Sequence, residues 1–446
     1  MLKLKPARRI GGTIEVPGDK SIAHRAALLS ILSKGQLIVK KWPDNQDCNR
    51  SLEAARMLGV QIEKDGPTLT LNPPSTPTLA PETIVDCGNS GTTARLLAGL
   101  IAGSNLTAIL SGDKSLTSRP MARVVDPLKA MGAEIFTDNG HLPIRIVGAR
   151  LLPFEYRLQV ASAQVKSALL LAGLASHCTV TVREDLVTRD HTELMIAALG
   201  EGISVREIKP QILPDPDDPR KKRSVVAEPF KREITLTGQA QVPGGGIEIP
   251  GDISTAAFFF ALAAISGKTI TVSQVGLNPT RTGFLEHLKA IGCQVAVENK
   301  STVSGEVRGD VTVTGGELKP RRIHGETVVD LIDEIPIVAV MAAFADGTTI
   351  IRDAKELRNK ESDRLQSVTE NLQRMGVKCG LLEDGLVIEG GKELQGADLM
   401  TYGDHRIAMA FAIAAQFAVG PSTLDDESVV GISCPTFFEL LHTIAS

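Results

Sequence analysis

The sequence lacks clustered cysteines. Its six cysteines are far apart and form no CxxC pair, the spacing that zinc sites and redox motifs commonly use. A zinc site or a disulfide framework is therefore disfavoured, and a reducing cytoplasm is the expected compartment. The positions are Cys48, Cys87, Cys178, Cys293, Cys379 and Cys434.

The sequence also lacks a long apolar run and a strong net charge. No stretch of about 18 or more apolar residues occurs, so no membrane-spanning helix is expected. The N-terminal segment MLKLKPARRIGG is basic but has no long apolar centre, which argues against a signal peptide. The net charge is −4, so nothing indicates a nucleic-acid partner, and any anion site needs a local cluster of cations.

Two distant stretches of the chain are nearly identical. Residues 11–19 read GGTIEVPGD and residues 244–252 read GGGIEIPGD, and each continues into an apolar segment of small residues. A chain of 446 residues is long enough for two domains, and the duplication predicts two equivalent halves. Only the first copy continues with a lysine, Lys20-Ser21, whereas the second continues with Ile253-Ser254. We expect the first copy to bind anions and the second to supply backbone alone.

A shorter pattern recurs inside the halves. Residues 56–71, 129–146 and 373–390 each read as a helix end, a glycine, a short strand, an Asp-Gly or Asn-Gly turn and a second strand. Residues 289–299 and, more weakly, 194–208 repeat this plan. The spacing favours a compact α/β unit present several times. The proline-rich, charged segment 214–233 breaks the pattern and is predicted to be a solvated loop.

Several predicted helix starts carry a lysine or arginine. Unpaired N–H groups and the helix dipole favour an anion at such positions. For each start the alternative is an ordinary capped helix or a solvated loop, but together they suit a polyanionic substrate held between two similar lobes. The segments are PGDKS (17–21), DCGNSGTTAR (86–95), GDKSLTSRPM (112–121), SAQVKS (162–167), RNKESDR (358–364) and GDHRIAMA (403–410).

Three acids precede a strongly apolar helix in the second half. Asp330, Asp333 and Glu334 stand just before the run IPIVAV. Acids at a helix start often only complement the dipole. The functional alternative is that one of them acts as a general base.

The ordered motifs PGDKS, HRA, GNSGTTAR, SLxxRPM, SAQVKSALLLAGL, DLIDEIP, NKESDR and GDHRIAMA resemble the 5-enolpyruvylshikimate-3-phosphate synthase family. The resemblance extends from about residue 10 to 440, and SAQVKSA is similar to the motif of the second bacterial class. It implies an α/β fold of two domains, each with three βαββαβ repeats in an inside-out α/β barrel. Residues 1–20 with 247–446 would form one domain, 21–240 the other, and 241–246 the hinge crossover.

The resemblance also implies a reaction. The enolpyruvyl group of phosphoenolpyruvate would move to the 5-hydroxyl of shikimate 3-phosphate through a tetrahedral intermediate, with release of phosphate. No cofactor, metal, nucleic acid or membrane partner is expected, and the enzyme is expected to be a cytoplasmic monomer. The nearest rival, a UDP-N-acetylglucosamine enolpyruvyl transferase, is disfavoured because Ser21 follows Lys20 and the 112–121 loop has no cysteine. An inactive anion-binding repeat protein is disfavoured because the charged motif residues are present.

By resemblance, the site residues divide into three groups. Asp333 would be the base, with Glu361 and Lys20 as candidates for the acid. Shikimate 3-phosphate would contact Lys20, Ser21, Arg25, Ser162, the Ala163 backbone, Gln164, Asp333 and Lys360, with Thr188 or Arg189 near its phosphate. Phosphoenolpyruvate would contact Lys20, Gly91, Arg119, Gln164, Arg364 and Arg406, whose guanidinium groups suit carboxylate and phosphate oxygens.

Two positions bear on this resemblance. Residues 433–438 read SCPTFF and lack the lysine that the other class carries near its C-terminus, so no phosphate ligand is expected there. Gly91 would leave room for the herbicide glyphosate, whereas the resemblance to the second class favours tolerance of it.

Overall fold

The computed structural model describes residues 1–209, 211–214, 222–225 and 228–445. Two short 3₁₀ helices, Lys355–Asn359 and Ser428–Ile432, accompany the α-helices. The α-helices are α1 (Lys20–Leu32), α2 (Gln46–Met57), α3 (Gly91–Ala102), α4 (Lys114–Thr117), α5 (Ala122–Ala130), α6 (Ala163–Ser176), α7 (His191–Leu199), α8 (Ile253–Ser266), α9 (Gly283–Ala290), α10 (Glu326–Leu331), α11 (Ile335–Ala343), α12 (Arg364–Arg374), α13 (His405–Ala415) and α14 (Phe437–Ile444).

The strands are mostly short and amphipathic, with alternate residues buried. They are β1 (Leu2–Leu4), β2 (Gly12–Glu15), β3 (Leu37–Lys40), β4 (Gln61–Asp65), β5 (Thr68–Asn72), β6 (Thr83–Asp86), β7 (Thr107–Ser111), β8 (Glu134–Asp138), β9 (His141–Val147), β10 (Phe154–Arg157), β11 (Val180–Glu184), β12 (Glu201–Glu207), β13 (Gln211–Pro214), β14 (Lys222–Val225), β15 (Arg232–Gln241), β16 (Gly245–Glu248), β17 (Thr269–Gly276), β18 (Gln294–Val303), β19 (Glu306–Thr314), β20 (Arg322–Ile323), β21 (Thr348–Ile351), β22 (Lys378–Leu381), β23 (Leu386–Glu389), β24 (Asp398–Leu399) and β25 (Ser422–Leu424).

One sheet plan recurs through the chain. In five four-stranded sheets the first two strands are parallel and the remaining pairs are antiparallel: β16-β3-β5-β4, β6-β7-β9-β8, β10-β11-β15-β12, β2-β17-β19-β18 and β20-β21-β23-β22. A sixth, three-stranded sheet, β24-β25-β1, keeps the parallel pair. The α/β repeat is confirmed, but the elements follow the chain order βαβαββ. The predicted order βαββαβ is wrong, because a parallel pair needs a crossover helix and the hairpin strands are consecutive.

The two repeated segments exchange places in the fold. Strand β2, from the first copy, lies parallel to β17 of the second half, and β16, from the second copy, lies parallel to β3 of the first half. The segments meet where they cross, since Gly18 and Gly251 form an antiparallel bridge. A Cβ added to Gly18 would stand 2.2 Å from the carbonyl oxygen of Lys41, so a side chain there would displace the crossing strands.

Two separate apolar cores underlie the two halves. The first core draws its residues from Ile22 to Ile249, and we call its sheets and helices the first lobe. The second core draws Leu4, Ile14 and Val16 from the N-terminus and the rest from Ile253 to Ala445, and forms the second lobe. In the first lobe α3 packs on α1 and α6, and in the second lobe α8, α11 and α13 pack on one another. These packed helices are buried along most of their length, so they form the inside of each lobe.

The cores locate the two passages between lobes. The first passage lies near Pro17–Asp19. Ile249 still packs in the first core and Ile253 in the second, so the second passage lies between them, after the predicted crossover at 241–246. The domain boundaries drawn from the resemblance therefore stay a prediction, with the second boundary moved by a few residues.

Three predicted hairpins are confirmed. They join β4 to β5, β8 to β9 and β22 to β23. Asn139 and Gly140 have φ values of 50° and 81°, the left-handed pair that a tight hairpin turn requires. The predicted helix and strand of 194–208 correspond to α7 and β12.

The segment 214–233 is not simply a loop. Residues 215–221 and 226–227 lie outside the described residues, but β13 and β14 pair antiparallel and β15 begins at Arg232. Among the helices that the structure describes, none has both the length and the apolar character needed to cross a membrane.

Candidate active site

A cavity of about 240 Å³ opens between the two lobes. Both lobes contribute helix starts and loops to its wall, and the wall is rich in charged side chains. The predicted residues that line it are Lys20, Ser21, Gly91, Arg119, Ser162, Ala163, Gln164, Thr188, Arg189, Asp333, Lys360, Glu361, Arg364 and Arg406.

The predicted helix starts are confirmed and converge on this cavity. Helices α1, α3 and α6 of the first lobe begin at Lys20, Gly91 and Ala163, and α12 and α13 of the second lobe begin at Arg364 and His405. A side chain caps each of these helices: Asp19, Ser90, Ser162, Asp363 and Asp404. The remaining N–H groups and the helix dipoles make the wall favourable for anions.

Asp333 lies among four cations. Arg189 of the first lobe donates to its carboxylate. From the second lobe, Lys360 Nζ lies 3.5 Å and Arg364 Nη1 3.6 Å from Oδ1, and Arg406 Nη2 lies 3.9 Å from Oδ2. Burial raises the pKa of Asp333, but these cations outweigh it and hold the pKa well below its usual value of 3.8.

The loop between α10 and α11 places Asp333 at this point. Residues 332–334 connect the two helices, and Arg406 Nη1 donates to the backbone oxygen of Asp333 at 2.9 Å. Asp330 also lines the cavity, but burial and the nearby Glu326 raise its pKa. Four positive partners therefore distinguish Asp333 from its neighbouring acid.

Glu361 forms a second paired carboxylate in the wall. Arg364 Nη2 donates to Oε2 at 2.7 Å, and Arg119 Nη1 of the opposite lobe lies 3.7 Å from Oε1. Burial raises the pKa of Glu361, but the opposing effect of Arg364 and Arg119 is larger, so the pKa lies well below its usual value. The hydroxyl of Ser115 donates to the Glu361 backbone oxygen at 3.1 Å, which adds a neutral contact between the lobes.

Lys20 is held at the junction of the two repeats. Its ammonium lies 2.9 Å from Asp47 Oδ2, and its backbone N–H donates to Asp252 at 3.0 Å. Burial lowers the pKa of Lys20, but the opposing effect of Asp47 and Glu361 is larger, so the pKa lies above its usual value. Lys20 is therefore a cation at neutral pH.

The wall near Gly91 is tightly packed. Arg95 Nη1 donates to Gln164 Oε1 at 2.9 Å, and Gln164 Nε2 donates to Thr92 Oγ1 at 3.0 Å. A Cβ on Gly91 would stand 2.6 Å from Arg95 Nη1 and 3.4 Å from Arg119 Nη1. The glycine therefore lets two guanidinium groups reach the start of α3.

Arg25 lies behind the site. Its guanidinium donates to Ser21 O at 2.8 Å, to Thr192 Oγ1 at 2.7 Å and to Ser167 Oγ at 2.8 Å. Arg25 does not line the cavity. Burial lowers its pKa to about 10. Direct contact of Arg25 with a substrate thus stays a prediction, and in the structure it supports Ser21.

Sequence reasoning missed part of the wall. Arg95 stands inside a motif already singled out, and Arg123 and Glu356 lie just outside two others. Nothing in the sequence near Asp47 or Arg281 signals a site. The five are Asp47, Arg95, Arg123, Arg281 and Glu356.

The second repeat supplies more than backbone, contrary to expectation. Asp252 lines the cavity, and its carboxylate accepts from the N–H groups of Lys20, Ser254 and Thr255. The hydroxyl of Ser254 donates to Glu334 and accepts from Arg281 Nη2 at 2.7 Å.

Four acids of the cavity pair with arginine or lysine: Asp47, Asp333, Glu356 and Glu361. Within the ranges that the structure describes, no group of three or more His, Cys, Asp or Glu side chains is placed to hold a metal ion. The arrangement can bind several anionic groups and can place carboxylates beside them for proton transfer.

The chain is similar to known proteins over nearly its whole length. The family model described as "EPSP synthase (3-phosphoshikimate 1-carboxyvinyltransferase)" matches residues 4–230 and 224–441. A 3-phosphoshikimate 1-carboxyvinyltransferase of Desulforamulus reducens is 40% identical, covering 99% of both chains. One of Anaeromyxobacter sp. (strain Fw109-5) is 44% identical, covering 96% of this chain and 95% of the relative. A solved EPSP synthase of Acinetobacter baumannii superposes with a TM-score of 0.80 at 36% identity, covering 99% of this chain and 98% of that one.

Proposed function

The chain belongs to the EPSP synthase family, and we propose that its cavity carries out that family's reaction with the residues assigned below. The protein is a 3-phosphoshikimate 1-carboxyvinyltransferase of the shikimate pathway and serves aromatic amino-acid biosynthesis. It transfers the enolpyruvyl group of phosphoenolpyruvate to shikimate 3-phosphate.

One observation carries the residue assignment. Four cations from the two lobes surround the carboxylate of Asp333, with Arg189 on one side and Lys360, Arg364 and Arg406 on the other. Bound phosphates would share these cations and add negative charge beside Asp333. Both changes would raise the pKa of Asp333 and make it a stronger base once the substrates are bound.

Shikimate 3-phosphate occupies the side of the cavity between α1, α6 and Asp333. Lys20, Ser21, Ser162 and Gln164 stand at helix starts with donors for its phosphate and hydroxyl groups. The Ala163 backbone, Lys360, Thr188 and Arg189 complete this side, and Arg25 orients Ser21 from behind.

Phosphoenolpyruvate occupies the neighbouring side. Three guanidinium groups, on Arg119, Arg364 and Arg406, offer paired donors for its carboxylate and phosphate oxygens. The start of α3 at Gly91 adds backbone N–H groups, and Lys20 and Gln164 lie between the two substrates.

The chemistry then proceeds by addition and elimination. Asp333 takes the proton of the 5-hydroxyl of shikimate 3-phosphate, and the hydroxyl oxygen bonds to C2 of phosphoenolpyruvate. At the same time C3 gains a proton and becomes a methyl group. Glu361 or Lys20 supplies that proton. In the second step the phosphate leaves C2 and a methyl proton returns to a carboxylate, which restores the double bond. Lys20 already carries a proton, because its pKa lies above its usual value, whereas Glu361 must first take one up, because its pKa lies well below its usual value.

Phosphate release tests the function directly. The purified protein should release phosphate only when shikimate 3-phosphate and phosphoenolpyruvate are both present. UDP-N-acetylglucosamine in place of shikimate 3-phosphate should give no release. Turnover with the sugar nucleotide instead would overturn the assignment of the acceptor.

We also propose that the enzyme acts as a cytoplasmic monomer of two domains that correspond to the two lobes. Each of the six cysteines is free, which fits a reducing compartment. Light scattering on the eluted protein should give a mass near 47.4 kDa, and a mass twice that value would contradict the monomer.

A further inference from the structure

The connection between β11 and α7, residues 185–190, reaches from the first lobe to the second. Thr188 and Arg189 line the cavity, and Arg189 donates to Asp333. The next two residues also contact the second lobe, since Asp190 accepts from Asn278 and His191 Nδ1 lies 2.6 Å from Glu306 Oε1.

Asn278 is the centre of these contacts. Its Nδ2 donates to Asp190 Oδ1 at 2.8 Å and to Glu306 Oε2 at 3.1 Å. Its Oδ1 accepts from the Thr280 N–H at 2.9 Å and from the Thr280 hydroxyl at 2.7 Å. Both donors and both acceptor positions of the amide are used, and the side chain is 3% exposed.

The amide lies between two carboxylates that have other partners. Arg232 Nη1 lies 3.1 Å from Asp190 Oδ2, and Glu306 is buried beside His191. Burial raises the pKa of Glu306, but His191 and Asn278 lower it further, so Glu306 is ionised at neutral pH. A neutral group with two N–H donors satisfies both anions at once, whereas a third carboxylate would repel them.

Backbone packing holds Glu306 against the first lobe. Glu306 follows the turn Ser304–Gly305, and a Cβ on Gly305 would stand 2.9 Å from the backbone oxygen of Leu194 in α7. The Ser304 hydroxyl accepts from the Glu248 N–H at 3.0 Å. The hairpin of β18 and β19 therefore rests directly on the first lobe, close to the second passage between lobes.

We propose that Asn278 is a positioning residue for the transfer reaction. It ties the cavity-lining pair Thr188–Arg189 of the first lobe to the cavity-lining pair Thr280–Arg281 of the second, and so sets Arg189 against Asp333. Asn278 itself does not line the cavity. The inference rests on the proposed roles of Arg189 and Asp333 at the shikimate 3-phosphate side.

The test is the near-isosteric variant Asn278→Asp. It keeps the acceptor for Thr280 but adds a negative charge between Asp190 and Glu306. We expect the KM for shikimate 3-phosphate to rise about tenfold or more, because small displacements of positioning groups are costly, while the KM for phosphoenolpyruvate stays within about twofold. A purely structural role would instead lower the fraction of active enzyme and leave both KM values unchanged.

A reciprocal exchange tests the contact itself. In the double variant Asp190→Asn with Asn278→Asp, the amide and the carboxylate change places and the total charge is conserved. It should recover at least half of the lost kcat/KM for shikimate 3-phosphate on a logarithmic scale, a coupling that independent sites would lack. If Asn278→Asp does not fold, Asn278→Ala removes both donors without adding charge and should shift the same KM in the same direction.

The matched control is Asn299→Asp. Asn299 also donates to a carboxylate, Asp310, at 2.7 Å, but it is exposed and does not line the cavity. Its kinetics should equal those of the unchanged enzyme. The inference is overturned if Asn278→Asp leaves the KM for shikimate 3-phosphate within twofold while Asp333→Ala abolishes turnover. If Asp333→Ala and Arg189→Ala also have no effect, the residue assignment fails as well.

Discussion

The backbone N–H of Lys20 donates a hydrogen bond to the carboxylate of Asp252, 232 residues further along the chain. Asp252 is the N-cap of α8 and Asp19 the N-cap of α1, so each copy of the repeated segment caps its own helix. The second copy, however, also accepts from the first residue of α1. The contact fixes Lys20 at the point where the two passages between lobes cross.

Replacing Asp252 should therefore affect both stability and activity. Asp252→Ala removes the cap of α8 and the acceptor for Lys20, and should lower the free energy of unfolding by about 1–2 kcal/mol. It should also lower kcat/KM at least several-fold, because Lys20 loses its anchor. Asp252→Asn keeps one acceptor oxygen and should lie between the two enzymes. Thermal unfolding and initial rates measure both effects, and equal kinetics for the three proteins would contradict the role of the anchor.

Asp333 provides the sharpest test of the mechanism. Asp333→Asn keeps the shape of the side chain but cannot accept the hydroxyl proton, so kcat should fall by about 100-fold or more. Asp330→Asn is the matched control, since Asp330 lines the same cavity without four cations around it. The base assignment is wrong if kcat of Asp333→Asn stays within about tenfold, a difference of 1.4 kcal/mol in the barrier.

The same variant predicts a pH dependence of stability in the absence of substrates. The cations around Asp333 depress its pKa in the folded protein below the usual 3.8, so its ionised form stabilises the fold. That stabilisation is complete well above pH 3.8 and is lost as the pH falls through the depressed pKa. Asp333→Asn should thus be less stable by about 3 kcal/mol at pH 7, and the gap should narrow in acid. Urea unfolding of both proteins at pH 7 and in acid measures the difference in stability. A difference that grew in acid would contradict a lowered pKa for Asp333.

Gly91 should be intolerant of even one methyl group. Gly91→Ala places a Cβ 2.6 Å from Arg95 Nη1, which must move, and 3.4 Å from Arg119 Nη1, in van der Waals contact. We expect the KM for phosphoenolpyruvate to rise about tenfold with a smaller effect on shikimate 3-phosphate. Gly380→Ala is the control, because a Cβ there meets nothing within 4 Å. Unchanged KM values in Gly91→Ala would show that the two guanidinium groups can yield freely.

Arg123 and Glu356 should act as a pair across the lobes. Arg123 Nη1 lies 3.1 Å from Glu356 Oε1, and both side chains line the cavity while remaining partly exposed. Arg123→Glu should raise the KM of both anionic substrates about threefold, because it removes a cation and repels Glu356. Adding Glu356→Arg should recover part of the loss. Additive effects in the double variant would mean that the pair does not couple.

The sequence alone predicted much of the fold, for local reasons. Glycine, Asn-Gly and Asp-Gly pairs fix turns, and a capping Asp or Ser before an apolar run fixes a helix start. The duplication around Gly18 and Gly251 likewise predicted that the chain has two similar halves. The helix, strand, turn and strand read from the residues agree with the structure, whereas the order βαββαβ came from the resemblance and differs from the chain order βαβαββ.

The candidate site was predicted as far as its residues stand in recognisable motifs. Arg119 and Asp333 are of this kind, and both line the cavity. Asp47 and Arg281 were not predicted, because their functional surroundings come from residues far away in the chain.

The sequence by itself determined the family, the repeats, the helix starts and the charges that they carry. These features depend on neighbours a few residues apart, whose spacing is visible in the chain. Only the tertiary structure decided that each repeated strand pairs in the opposite lobe, that Arg25 lies behind Ser21, and that Asp252 anchors Lys20. Those outcomes depend on packing and hydrogen bonds between residues far apart in sequence, and a linear pattern carries no record of which distant partners meet.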